Sequence, residues 1–179
     1  MPNVKGAVLL GPIKFLRKRR DAARELLPVS LHHYLEQDIR LSGWYPETDF
    51  VELIRISARL MPGELDAEIE QMGVVGAHAL AEVYGDLMRS MKSSSSVFAL
   101  WTAQHDTGEL RGSWESPACA RVELAGFAAP TRENCLLANG YIRGSFALNG
   151  YDDVAIEKRS CMVRGDDSCV WRVTWKPRD

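Results

Sequence analysis

The stretch that decides the fold is Cys161-Met-Val-Arg-Gly165-Asp-Asp-Ser-Cys169-Val-Trp-Arg-Val-Thr-Trp175. From Cys169 onward, Cys169, Trp171, Val173 and Trp175 alternate with Val170, Arg172, Thr174 and Lys176, the period of a strand with one face buried. Upstream, Val154 and Ile156 repeat that period, and Arg164-Gly165-Asp166-Asp167 between the two runs is a strong hairpin signal. A three-residue loop centred on Gly165 puts Cys161 opposite Cys169, where facing side chains have Cβ atoms about 5 Å apart. Working outward, Val122 and Leu124 alternate with Arg121 and Glu123 as a further strand, and a helix over about Asn134–Ala147 interrupts the strands.

The first half keeps the helical period instead. A short basic helix begins at Ile13 and Leu16 after Gly11-Pro12, Asp21 caps the next one, and Ser30 caps a segment through Leu31, Tyr34 and Leu35. Gly43-Trp44-Tyr45-Pro46 reads as a break. Phe50, Leu53, Ile54, Ser57 and Leu60 then recur at helical spacing until Pro62-Gly63. A long helix is expected from about Asp66 to Met88 and a shorter one from Val97 to Gln104, with Ser93–Ser96 joining two helices or marking a mobile loop. Helices first and strands after predict an α+β protein: a helical N-terminal half (1–106) packed on an antiparallel sheet of about four strands with one inserted helix (107–179), all in one domain.

Composition narrows the function classes. A 179-residue chain with 46% hydrophobic and 26% charged residues has the balance of a globular protein with a real core. Its net charge of -2 argues against a nucleic-acid binder. No apolar run reaches bilayer length, and Ala7–Leu10 is too short for a secretory core, so a cytoplasmic location is expected. The basic run Lys14, Arg17, Lys18, Arg19 and Arg20 could lie on an anionic membrane, but with so few charges a solvated helix face is the expectation. No nucleophile triad, phosphate loop or dinucleotide fingerprint is present, so a binding module is expected rather than an enzyme.

Four cysteines remain to be explained: Cys119, Cys135, Cys161 and Cys169. Cys135 starts the inserted helix, and Glu157 lies four residues before Cys161. Three thiols and a carboxylate are a sound tetrahedral zinc set, while buried cysteines packing as small hydrophobes are the competing reading. A reducing compartment argues against a disulfide.

Cys135-Leu-Leu-Ala-Asn-Gly140-Tyr141-Ile-Arg-Gly144, then Ile156-Glu157, then the Cys161–Cys169 hairpin resemble the V4R (4-vinyl reductase-like) domain of aromatic-responsive bacterial regulators. That family is structurally akin to the haem-NO-binding and Bet3-like folds. The resemblance covers roughly residues 97–175 and implies a structural zinc held by Cys135, Cys161, Cys169 and a glutamate. It departs at one point: the family's glutamate stands three residues before the second cysteine, where this chain has Lys158, so Glu157 is one residue out. The resemblance also implies a pocket for a small apolar or aromatic ligand, assigned here to Trp101, Trp114, His105 and Tyr141, and a module that signals through a protein partner. The haem-NO-binding signature Tyr-x-Ser-x-Arg is missing, so haem is not expected, and His78 reads as a packed helix residue rather than an axial ligand. Gly73, Gly76 and Ala77 form a small-residue stripe suited to close helix approach, and a ligand-independent homodimer through it is the rival reading. A tetrapyrrole-related enzyme is the third, with only His105 and Glu115 near the assigned pocket.

Overall fold

The computed structural model describes residues 1–83 and 95–176. The expected architecture is present: helices in the first half, then a four-stranded antiparallel sheet in the order β3-β4-β6-β5, with a helix inserted between its second and third strands along the chain. The strands are β3 (Glu109–Ser116), β4 (Cys119–Ala125), β5 (Ala155–Ser160) and β6 (Ser168–Thr174). Val122 and Leu124, read as inward-facing, are buried, and they pair with Trp171 and Cys169 of β6.

The helical half contains α1 (Gly6–Arg17), α2 (Arg20–Leu26), α3 (Glu47–Arg59) and α4 (Leu65–Val83). After the undescribed segment comes α5 (Ser95–Gln104), and the inserted helix is α6 (Arg132–Leu148). Leu87, Met88, Ser93 and Ser94 of the expected long helix and serine linker lie outside the described residues.

Four local expectations are corrected. Pro12 does not precede the first helix but sits inside α1, where it forfeits one backbone hydrogen bond. Pro12 is buried alongside Leu9, Ile13 and Leu16, and that apolar face offsets the loss. The segment after Ser30 is a 3-10 helix over Val29–Leu35. The supposed break holds a strand, β2 (Trp44–Pro46), paired antiparallel with β1 (Asn3–Lys5). The fourth concerns Asp21, which lies in the first turn of α2 rather than at its cap.

Two apolar clusters form, one per half. The first gathers Leu9, Ile13, Leu16, Leu53, Ile56 and Ile69; the second gathers Phe98, Trp101, Val122, Ile142, Trp171 and Val173. Helix α4 contributes Ile69 to the first and Ala77 to the second, so it crosses the seam. Its small-residue stripe serves this crossing. A Cβ on Gly73 would collide with the Leu137 carbonyl, and one on Gly140 with that of Glu70. Gly144 similarly lies against Val74 and Ala77. The stripe is therefore covered by α6 of the same chain, and the homodimer surface expected there is not available; Gly76 alone has open space. Arg55–Glu133 (2.8 Å), Arg143–Glu70 (2.8 Å) and Arg132–Asp66 ion pairs run along the same seam.

The basic run is partly consumed inside the fold. Arg17 donates to the carbonyls of Tyr34 and Gln37, and Arg20 pairs with Glu36. Among the described residues, no helix is long and apolar enough to cross a membrane.

Candidate functional site

Two buried polar clusters stand out. The first lies where the halves meet. Glu47 opens α3 and is fully buried; its Oε2 accepts from His105 Nδ1 (3.1 Å) and its Oε1 from Asn134 Nδ2 (2.8 Å). The positive end of the α3 dipole favours a carboxylate at that position. Asn134 is in turn held by Thr131, the α6 cap, whose Oγ1 accepts from the Asn134 backbone N–H (3.1 Å). His105 follows α5 and bridges to Val4 of β1, while Asp106 accepts from the Asn3 backbone N–H and side-chain amide, both at 2.7 Å. Those two bonds hold the Asp106 carboxyl below the usual range. The His105 ring stacks on Trp101 (centroids 4.0 Å apart) and meets the edge of Phe127 (5.8 Å).

The ligand-lining set is thus split. Trp101 and His105 are together. Trp114 is about half exposed and touches a different group of rings: Phe146, Tyr151 and Trp175. Among the described residues, no ring partner is shared between Trp101 and Trp114, and the two stand in different aromatic groups. Tyr141 is buried on α6 in the sheet-side core, and burial pushes its hydroxyl pKa up. An open groove of about 360 Å³ lies elsewhere, between α5 and β3, lined by Ala99, Thr102, Glu109, Leu110, Arg111 and Gly112. His78, expected to be packed, is exposed on α4.

The second cluster is the cysteines. Cys135 Sγ lies 3.5 Å from Cys161 Sγ and 3.9 Å from Cys169 Sγ, and the three sulfurs lie within 4.8 Å of one another. All are free thiols. Beyond the bulge between Lys158 and Ser160, the pair Ser160–Val170 leads on to Cys161 and Cys169, so the two face each other just past the end of the paired ladder, with Cys161 at the base of a loop that holds a 3-10 turn at Met162–Arg164. Asp166 closes that loop by accepting from the Cys161 N–H (2.6 Å), and Gly165 takes the left-handed conformation the turn needs (φ 94°).

Glu157 is not among the clustered groups. It pairs across the sheet with Arg172, is exposed, and ion-pairs with Arg159 (2.7 Å). Lys158 faces Trp171 instead, with Nζ 4.6 Å from the indole centroid. Burial alone would lower the Lys158 pKa, but the thiols, Cys135 foremost, hold it above its ordinary value. Within the thiols, the Cys135 hydrogen bond, the Met162 N–H and the Lys158 charge draw Cys169 down to about 5 against the effect of burial, while Cys135 is pushed up. A closed zinc site of three thiolates and a glutamate therefore does not fit these residues.

Sequence reasoning found the three cysteines and His105 but missed Glu47. A carboxylate after Pro46 in a first turn looks like ordinary helix-start chemistry, and only tertiary packing buries it.

No family model matches the chain, and no curated protein matches it. Solved structures do. An H-NOX protein from Shewanella oneidensis in the Fe(II) state, a triple mutant, aligns with a TM-score of 0.72 at 13% identity over 98% of this chain and 97% of that one. The Fe(II)NO form of an H-NOX protein from the same organism gives 0.71 at 14% identity over 96% and 99%. A structure probing haem distortion in the H-NOX family gives 0.68 at 15% identity over 98% and 96%. These likenesses establish the fold as H-NOX-like. They overturn the expectation against haem: the missing Tyr-x-Ser-x-Arg signature was the ground for it, and this chain has the fold of domains solved in Fe(II) and Fe(II)NO states.

Proposed function

We propose that this chain is a ligand-sensing regulatory module in which occupancy at the junction of the two halves changes how they sit together, and a partner protein reads that change. The observation that carries the reading is the buried Glu47–His105–Asn134 bridge, which joins α3, the end of α5 and the start of α6.

The similar solved structures hold Fe(II), and the donor set here suits a haem iron. His105 would hold the iron: an imidazole whose Nδ1 is committed to a buried carboxylate is oriented as metal-ligating histidines are, which leaves Nε2 as the donor. A bound haem would supply a ferrous centre for a diatomic gas. The chain's own residues do the rest. Glu47 fixes the tautomer and direction of the ring. Trp101 and Phe127 cover two sides of it and limit water. Asn134 ties Glu47 to α6, and Val4 ties His105 to β1. Any shift of His105 is therefore felt by three elements of the helical half and by α6 at once. Ligand binding then moves the protein only as far as its affinities for the two arrangements differ.

The test is titration of the metal-free chain with ferrous haem under anaerobic conditions, followed by carbon monoxide. One haem per chain with a Soret band that shifts on adding the gas is expected, with the band lost in His105→Ala and partly restored by free imidazole. Equal binding by wild type and His105→Ala would remove His105 from the role, and no binding by either would overturn the haem reading.

A further inference from the structure

Among the described residues, the four-stranded sheet ends on β3 at one side and on β5 at the other. An end strand carries a row of backbone N–H and C=O groups with no strand to answer them. The two ends protect that row differently. β5 carries Glu157, Lys158 and Arg159 in succession and a bulge between Lys158 and Ser160, features that discourage a further strand. β3 is the longest strand of the sheet and keeps an unbroken register with β4 from Glu109 to Trp114. Between Leu110 and Trp114 it has one charged residue, Arg111, which ion-pairs with Glu109.

One hydrogen bond fixes which groups of β3 face outward. The Leu110 N–H donates to Thr102 Oγ1 of α5 (3.0 Å), so it points away from β4. In an antiparallel ladder a residue turns both its backbone groups to one side, and its neighbours turn theirs to the other. The outward residues are therefore Leu110, Gly112 and Trp114, while Arg111 and Ser113 face β4. Thr102 answers the Leu110 N–H. Among the described residues, nothing answers the outward groups of Gly112 and Trp114. The open groove of about 360 Å³ lies here, between Ala99 and Thr102 of α5 and the strand at Leu110 and Gly112. The glycine lets α5 come close, since a Cβ on Gly112 would strike the Phe98 ring. Further along the same row, Trp114 is about half exposed.

We propose that β3 is a docking edge for an extended segment of a partner protein, which adds to the sheet as a fifth strand alongside Gly112 and Trp114 and beside α5. Strand addition of this kind draws affinity from main-chain hydrogen bonds and selectivity from alternate side chains. The incoming residues opposite Gly112 and Trp114 are two apart and share the face that carries α5. One enters the space over Gly112 next to Ala99, and the other covers the exposed part of the Trp114 indole, so both are apolar. A groove of about 360 Å³ takes a few side chains of such a segment. It does not take a second α5, which antiparallel pairing of two β3 strands would bring to the same face. The inference stands on α5 and β3, not on His105, which does not line the groove.

The experiment uses the full metal-free chain. A displayed library of random ten-residue peptides is selected on it, and an enriched peptide is synthesised for fluorescence anisotropy and for amide exchange read by NMR. Enriched peptides are expected to carry apolar residues at positions i and i+2. The Gly112 and Trp114 amides should exchange fast in the free chain and slowly with peptide bound, while those of Arg111 and Ser113 are slow in both. N-methylating one alternate set of peptide amides should weaken binding about tenfold, and methylating the other set less than about twofold, because only one set faces β3. Ala99→Arg, which fills the groove from an exposed position, should also weaken binding about tenfold. No enrichment on the folded chain would overturn the docking edge. So would bound peptide that leaves the Gly112 and Trp114 amides fast, or equal loss from the two methylated sets. A free chain that sediments as a dimer with those two amides already slow would overturn it in favour of self-pairing. None of these results depends on haem, so this inference and the sensing reading fail separately.

Discussion

Glu47 and Lys158 are both charged residues with buried polar atoms, and the fold treats them in opposite ways. Both Glu47 oxygens accept hydrogen bonds, and its backbone N–H donates to the Pro2 carbonyl (2.9 Å). Lys158 Nζ is buried over the Trp171 indole face, 4.6 Å from its centroid, with no hydrogen-bond partner among the described residues. The first site is closed by the protein itself. It should be stiff, and intolerant of losing a member, because removing one partner strands the others without water. The second leaves a buried charge without a hydrogen bond, at a cost in desolvation.

The largest effect is expected at the closed network. Glu47→Ala leaves the His105 and Asn134 donors buried and unpaired and should cost about 3 kcal/mol in urea unfolding; a loss below ~1 kcal/mol would show that the network is not closed. Next is the seam that holds the two clusters apart. Gly140→Ala drives a methyl into the Glu70 backbone of α4 and should cost about 2 kcal/mol, because neither helix can yield without moving its cluster.

Smaller, and dependent on pH, is the Arg55–Glu133 link across that seam. Glu133 is partly buried. Burial alone would raise its pKa, but its own backbone N–H and Arg55 hold it below the ordinary carboxylate value. Its folded-state pKa is depressed, so its stabilisation is present above the unfolded value and lost as pH falls through the folded one. Glu133→Gln should cost about 1 kcal/mol at neutral pH and nothing once the pH lies below the folded-state pKa, as read from paired denaturation curves. The smallest effect is expected at Lys158. Lys158→Met should change stability by less than ~1 kcal/mol in either direction, since it exchanges an unsatisfied buried charge for a matching apolar chain. A loss as large as that of Glu47→Ala would mean that the two sites are alike after all.

Legibility in the sequence followed the range of the forces involved. The hairpin, the inserted helix and the inward faces of β4 and β6 come from turn chemistry and a period of two, which act over a few residues. The cysteines could be grouped because the hairpin and helix start lie close along the chain. The choice between Glu157 and Lys158 could not be made, because one bulge shifts the phase of β5 and turns Lys158, not Glu157, toward Trp171. The β1–β2 pair was hidden for a different reason. Each strand has only three residues, and they are stabilised by partners about forty residues apart. Pro12 was misread and Glu47 passed over because tertiary burial overrides what a proline or a first-turn glutamate means locally.

The most direct test of the sensing reading is amide hydrogen exchange on the chain with and without bound ferrous haem. The account predicts slower exchange in residues 3–5, 44–59 and 101–106, which meet at His105, and in the first turn of α6. Unchanged exchange at those segments, with protection confined to the α5–β3 groove, would contradict it.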